Sequence, residues 1–164
     1  MEPSIIIINY CINQPLLLLF VDLEKAYDSM PLKNLWKALE QYNISNSIIR
    51  TIKRLYEISF SQIKIGKQLF SGFCITKGLR QGCSLSPTLF KIYIQKALEN
   101  WQKKCAEMGL EIQDMTLYSM LFAGDQLLIA RDYEHLDYMT RKLIDEYELW
   151  GLKLNIKKKL NIWP

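Results

Sequence analysis

Two aspartates stand where strand-like segments end or meet. Asp22 follows the apolar run 16–21, and Asp125 sits in the three-residue gap between two runs of strand character, 115–122 and 126–130. Carboxylates brought together from separate strands are hard-oxygen ligands of the kind Mg²⁺ takes, with positions left for water and phosphate. Two such ions about 4 Å apart can activate a hydroxyl and stabilise a leaving pyrophosphate. Between the two aspartates lies a polar, glycine-containing loop, Gly78-Leu79-Arg80-Gln81-Gly82. By residue type alone, an aspartate at a strand end is more often a turn or cap residue than a ligand.

The elements that must position these residues follow from patterning. The continuous apolar run 16–21 predicts a buried central strand. Pro31 fits the first turn of a helix to about Tyr42, with Leu35, Ala38, Leu39 and Tyr42 on its apolar face. Ser45 is a candidate N-cap for a second helix holding Ile48, Ile49, Ile52, Leu55 and Tyr56. Residues 61–65 and 69–75, with Gly66 between them, read as a hairpin. The longest helical pattern runs from Leu85 to Trp101, with Gly109 as a stop. Segments 115–122 and 126–130 form a second, tight hairpin. Residues 133–150 form an amphipathic helix, and the tail 152–163 has strand character at both ends. The order β-α-α-β-β-α-β-β-α-β predicts an α+β fold of split βαβ type, with helices backing an antiparallel sheet. No repeat, low-complexity tract or Gly/Ser linker interrupts it, which argues for one compact domain.

Composition agrees and excludes some classes. The 164 residues are 49% hydrophobic and 23% charged, with a net charge of +4, which suits a polyanion partner without requiring one. Cys11, Cys74, Cys83 and Cys105 form no CxxC pair and His135 is the single histidine, which argues against a structural zinc site. The thiols read as reduced, intracellular residues of a nuclear or cytoplasmic protein. The apolar segments 5–8 and 16–21 are separated by Asn9, Asn13, Gln14 and Pro15. Neither approaches the ~18 residues a membrane span needs, so no membrane association is expected.

Four strings add a family. Phe20-Val21-Asp22-Leu23-Glu24-Lys25-Ala26-Tyr27-Asp28 resembles the first acidic motif, F-x-D-x-x-K-A-[FY]-D, of non-LTR retrotransposon reverse transcriptases. Gly78-Leu79-Arg80-Gln81-Gly82-Cys83-Ser84-Leu85-Ser86-Pro87 is similar to their RQG-C-x-LSP motif, and Leu121-Phe122-Ala123-Gly124-Asp125 to their FADD box with one change. Gly151-Leu152-Lys153-Leu154-Asn155 with Lys157-Lys158-Lys159 resembles the later G-L-K-x-N-x-x-K-[TS] motif. The order is the family's, and the resemblance covers roughly residues 16–160.

The resemblance implies an RNA-directed DNA polymerase palm that takes an RNA template, a DNA primer and deoxynucleotides. It implies two Mg²⁺ ions held by Asp22 and Asp125, with the Leu23 carbonyl assisting. Tyr27 takes the ribose-gate position, where its ring would clash with a 2′-hydroxyl; without the motif, a core aromatic is the better reading of it. Gln81 and Gly82 would line the nucleotide pocket, and by type they are an ordinary loop-to-helix junction. Arg80 would meet phosphate or stand as a solvated surface arginine. Lys158 would lie near the triphosphate, although Lys159 replaces the usual Thr or Ser and blurs the register. Asp28 matches the motif's ending, and capping the helix near Pro31 suffices to explain it.

Two departures from the family pattern shape the expected activity. Gly124 occupies the first aspartate of the acidic box, so a carboxylate ligand is lost. Residues 1–15 are expected to be a short N-terminal remnant before a partial palm, 16–164, with fingers and thumb largely missing. Impaired polymerase activity follows from both departures. The alternative is a non-catalytic remnant that at most binds nucleic acid.

Overall fold

The computed structural model describes residues 5–8, 16–57, 60–74, 76–122 and 124–155. In chain order these form β1 (Ile5–Ile8), β2 (Leu16–Asp22), α1 (Ala26–Ser29), α2 (Leu32–Gln41), α3 (Asn46–Glu57), β3 (Phe60–Ser61), β4 (Lys64–Ile65), β5 (Gln68–Leu69) and β6 (Phe73–Cys74). They continue with α4 (Ser86–Lys104), β7 (Leu110–Ile112), β8 (Met115–Leu117), β9 (Ser119–Phe122), β10 (Asp125–Ala130) and α5 (Tyr133–Leu149). The fold is α+β, as the element order predicts. The chain divides into two compact units, one of residues 1–26 and 95–164, the other of residues 27–94.

The first unit is built on an antiparallel sheet of order β1-β2-β10-β9. The two central strands carry the apolar runs 16–21 and 127–130, as suits strands with neighbours on both sides, whose backbone is shielded from water. Their register pairs Leu17 with Ala130, Leu19 with Leu128, and Val21 with Gln126. Residues directly opposite share a face. Leu17, Leu19, Gln126, Leu128 and Ala130 are all buried on this one, and α5 packs on β10 and β2. The alternate residues Asp22 and Asp125 therefore occupy the other face.

Helix α5 begins at an Asp132 cap, whose Oδ1 accepts the His135 backbone N–H at 2.8 Å. It buries Leu136, Met139, Leu143 and Tyr147. Trp101 of α4 is fully buried in this unit, and its Nε1–H donates to the Met139 carbonyl at 2.8 Å. Each such side chain contributes roughly 1.5–3 kcal/mol by burial. A buried polar chain crosses the core: Tyr147 donates its hydroxyl hydrogen to Gln126 Oε1, and Gln126 Nε2 donates to Ser119 Oγ at 3.1 Å.

In the second unit, α2 and α3 pack together through Leu32, Leu35, Ala38 and Leu39 on one side and Ile49, Ile52 and Tyr56 on the other. Trp36 meets Tyr56 edge-on at 5.8 Å. Ser45 caps α3 as expected, accepting the Ile48 N–H at 3.5 Å.

Several local expectations shift. Pro31 is the extended N-cap of α2 rather than a first-turn residue, and no side chain caps that helix, Asp28 included. The hairpin around Gly66 is two short ladders, β3–β6 and β4–β5. Helix α4 ends at Lys104, before Gly109 is reached. The run 115–122 breaks at Tyr118 into β8 and β9, because β8 pairs with the unforeseen β7 while β9 pairs with β10.

Candidate functional site

Strand pairing decides the geometry around the two aspartates. In the β2–β10 ladder Asp125 is the direct partner of Asp22. Asp125 is the first residue of β10, and it pairs back to Phe122 of β9. Directly opposed residues hold their Cβ atoms about 4.5–5.5 Å apart, and like charges so placed repel. A cation between two carboxylates removes that cost. Asp22 is half-buried and Asp125 exposed. The Leu23 N–H donates to the Gly124 carbonyl at 3.2 Å, which ties the strand end to the hairpin.

The residues after α5 return to the same strand end. Leu23 and Leu154 form an antiparallel bridge. Its two hydrogen bonds run from Asn155 N to the Asp22 carbonyl, 2.6 Å, and from Glu24 N to the Lys153 carbonyl, 2.8 Å. The bridge thus does not use the Leu23 carbonyl. Asn155 Nδ2 also donates to Asp22 Oδ2 at 3.3 Å.

Asp22, Asp125 and the Leu23 carbonyl offer oxygen donors to a divalent cation. Mg²⁺ is commonly held by one or two carboxylates with water and phosphate completing its shell, so this donor set fits it. Gly124 adds no side-chain oxygen, and among the described residues no three His, Cys, Asp or Glu side chains cluster as a metal site. The glycine is not demanded by the backbone. Its φ lies outside the left-handed region, and a Cβ there would meet only Ala26 Cβ at 3.8 Å, an ordinary contact.

The second unit holds an open cavity of about 520 Å³. Tyr27, Arg80, Gln81 and Gly82, singled out from four positions of the sequence, all line it, joined by Cys83, Ser84, Ser86 and Pro87. Backbone contacts fix the loop that carries three of them. Leu79 N donates to the Tyr27 carbonyl and Gly78 N to the Met30 carbonyl, both at 2.8 Å, and Pro31 bridges Lys77. Gly78 has φ +90, and a Cβ would fall 2.9 Å from the Asp28 carbonyl oxygen, so only glycine allows this approach. Tyr27 stacks on Phe90, with centroids 4.7 Å apart and ring planes 17° apart.

The polar side chains of this loop are anchored. Gln81 Nε2 donates to Asp28 Oδ1 at 2.9 Å, which gives Asp28 a partner in place of the helix cap expected of it. Arg80 Nη2 donates to the Leu55 carbonyl in the last turn of α3 at 2.7 Å, and the guanidinium lies over the Tyr56 ring at 5.6 Å. A cation is favoured at that end of a helix. Arg80 is therefore a tethered residue rather than a freely solvated one. A hydrogen bond from the Leu85 backbone outweighs desolvation and holds the Cys83 thiol below its usual value, with Ser86 and Arg80 acting the same way. Lys158 lies outside the described residues.

Charge is unevenly divided. Residues 27–94 carry ten Lys and Arg against three Asp and Glu, a balance of +7, whereas the remaining residues carry eleven against fourteen, a balance of −3. Among the described residues no helix is long and apolar enough to cross a membrane. Residue type alone assigns nothing to Asn155, although it stands in a quoted string, and does not reveal Asp28 as the holder of Gln81. Both contacts join segments far apart in sequence, and no local pattern signals them.

Residues 9–162 match the family model described as Reverse transcriptase (RNA-dependent DNA polymerase). The chain is 29% identical over 119 residues to the "Transposon TX1 uncharacterized 149 kDa protein" of Xenopus laevis, covering 73% of this chain and 9% of that protein. It is 25% identical over 138 residues to the "Retrovirus-related Pol polyprotein from type-2 retrotransposable element R2DM" of Drosophila melanogaster, 84% of this chain and 13% of that one. Against the "Retrovirus-related Pol polyprotein from type-1 retrotransposable element R2" of Popillia japonica it is 27% identical over 143 residues, 87% and 20% of the two chains. The chain thus spans no more than a fifth of the length of these relatives. Among solved structures, an apo telomerase from Candida Tropicalis truncated from its C-terminal domain superposes with a TM-score of 0.66. It shares 19% identity over 87% of this chain and 30% of its own, a likeness of fold. The retrotransposon relatives bear out the resemblance drawn from the four strings, and the matched span is nearly the whole chain: it belongs to the reverse transcriptase (RNA-dependent DNA polymerase) family.

Proposed function

We propose that this chain is a palm segment, residues 16–164, of an RNA-directed DNA polymerase of non-LTR retrotransposon type, impaired at its cation site. The observation that carries the proposal is the register of β2 on β10, which sets Asp22 directly opposite Asp125 with Gly124 beside them. Asp22, Asp125 and the Leu23 carbonyl would hold divalent metal, Mg²⁺ in pairs as in the family. When bound, such ions supply Lewis-acid activation of a primer 3′-hydroxyl and charge stabilisation for departing pyrophosphate.

The other roles belong to the chain's own groups. Tyr27, braced by Phe90, narrows the sugar site against a 2′-hydroxyl. Gln81 and Gly82 line the nucleotide cavity. Arg80 spends one nitrogen on α3 and keeps other N–H groups for phosphate. Lys158 would serve the triphosphate, as the family pattern implies. The setting is the nucleus or cytoplasm, where RNA template, DNA primer and deoxynucleotides meet.

Gly124 is the reason for impairment. A missing electrostatic group at a reacting centre costs about 10²–10³ in rate. Primer extension on an RNA template, with Mg²⁺ or Mn²⁺, tests this. The expected result is negligible extension by this chain and, within a longer protein that carries fingers and thumb, at least ~100-fold more with Gly124→Asp than with Gly124. Equal extension by both would refute the impairment.

A second reading, a non-catalytic nucleic-acid binder, is favoured by the +7 balance of residues 27–94. Silence of both proteins in extension, together with salt-sensitive RNA binding, would select it.

A further inference from the structure

Asp22 is gripped at two points by one residue. The Asn155 backbone N–H donates to its carbonyl at 2.6 Å, and the Asn155 side-chain amide donates to its carboxylate at 3.3 Å. The segment that delivers Asn155 is rooted in the core. Leu152 is fully buried, and its N–H donates to the Tyr147 carbonyl at 2.7 Å.

We propose that Asn155 is a positioning residue for the Asp22 carboxylate, on the cation reading given under Proposed function. A carboxylate turns easily about its terminal torsion. Opposite a second carboxylate, Asp22 gains by turning away from Asp125, which would spoil a shared cation site. A donor anchored through its own backbone resists that rotation. The donor's chemical type matters too. A lysine here would orient the carboxylate but also neutralise it and compete with the cation. A neutral amide orients Asp22 and leaves its charge available. Removing a partner that orients a metal ligand typically costs about 10–100-fold in metal affinity.

The test uses this chain with Mn²⁺ as a paramagnetic probe, followed by electron paramagnetic resonance and by thermal melting. Asn155→Ala keeps the backbone N–H, so the bridge to Asp22 and the melting temperature should persist. Its Mn²⁺ affinity should fall about tenfold. The spectrum of the bound ion at saturation should also change, a signature that a purely structural residue would not move. Asp22→Asn should abolish binding. If Asn155→Ala lowers the melting temperature, Asn155→Leu restores bulk without the donor and is read in its place. Parent-like affinity and spectrum in these variants, with binding lost in Asp22→Asn, overturns the positioning role alone. Parent-like binding by Asp22→Asn overturns the cation reading itself. If neither the parent nor Gly124→Asp binds Mn²⁺, both fall together.

Discussion

Gly124 and Gly78 are both glycines in tight connections, and they differ in what their surroundings demand. At Gly78 a positive φ of +90 coincides with a Cβ position 2.9 Å from backbone oxygen. Gly78→Ala should therefore destabilise by at least ~2 kcal/mol in urea denaturation. At Gly124 neither constraint exists: Gly124→Asp would add a carboxylate beside Asp22 and Asp125, while the uncharged Gly124→Ala should shift stability by less than roughly 0.5 kcal/mol. A loss above ~1 kcal/mol would mean that the glycine has a structural role the geometry does not reveal. At this scale the sequence was informative where a residue stands in a recognisable string, as at Asp22, Asp125 and Tyr27. It was silent where a generic amide works through a distant partner. Asn155 meets Asp22 across 133 positions and Gln81 meets Asp28 across 53, and an amide's type says nothing about which carboxylate it will find.

Elements were legible in proportion to their burial. The strands β2 and β10 and the helices α2 to α5 bury long apolar patterns, and their extents follow those patterns closely. The short strands do not. Around Gly66 the apolar residues meet water: Ile65 is 66% and Leu69 59% exposed. With no core to satisfy, the predicted long hairpin shrinks to two-residue ladders. Ile65→Thr and Leu69→Thr should each change the urea midpoint little, within roughly 0.5 kcal/mol. A substantial destabilisation would show that this hairpin is packed rather than solvated. The break of the run 115–122 at Tyr118 has a different origin, in strand pairing. Alternation marks strand character, but it cannot report that β8 and β9 choose different partners.

For the whole molecule, two properties emerge from sums over many residues. One is lability to alkali. Burial pushes the Tyr93 phenol up to about 12, despite a hydrogen bond with the Asn34 side chain, and the Cys105 thiol up to about 11. Burial raises Tyr147 as well. In each case the unfolded group loses its proton first. Stability is thus complete below the unfolded values, near 9 for the thiol and 10 for the phenols, and falls as pH rises towards the folded ones. Urea midpoints measured from pH 8 to 12 should decline, and Tyr93→Phe should flatten the decline above pH 10. The other property is the separation of charge, +7 against −3. RNA affinity should fall steeply with salt, and replacing exposed Lys64 and Lys67 by Gln should lower the slope of log affinity on log salt by about 1–2. An unchanged slope would move the phosphate contacts elsewhere.

The buried Tyr147–Gln126–Ser119 chain bears on how the aspartates come to face each other at all. Sliding β10 by one residue along β2 would turn Gln126 out of the core and swing Asp125 to the helix side. The misaligned hairpin would leave the Tyr147 hydroxyl without its acceptor, at a cost of about 1–3 kcal/mol, and would bury a charge. The apolar residues of β10 tolerate such an error far better, since Leu127, Leu128 and Ile129 are consecutive and offer few distinguishing marks. A single amide, hidden one position from Asp125, thus acts as a proofreader of folding and rejects chains in which the two carboxylates never meet.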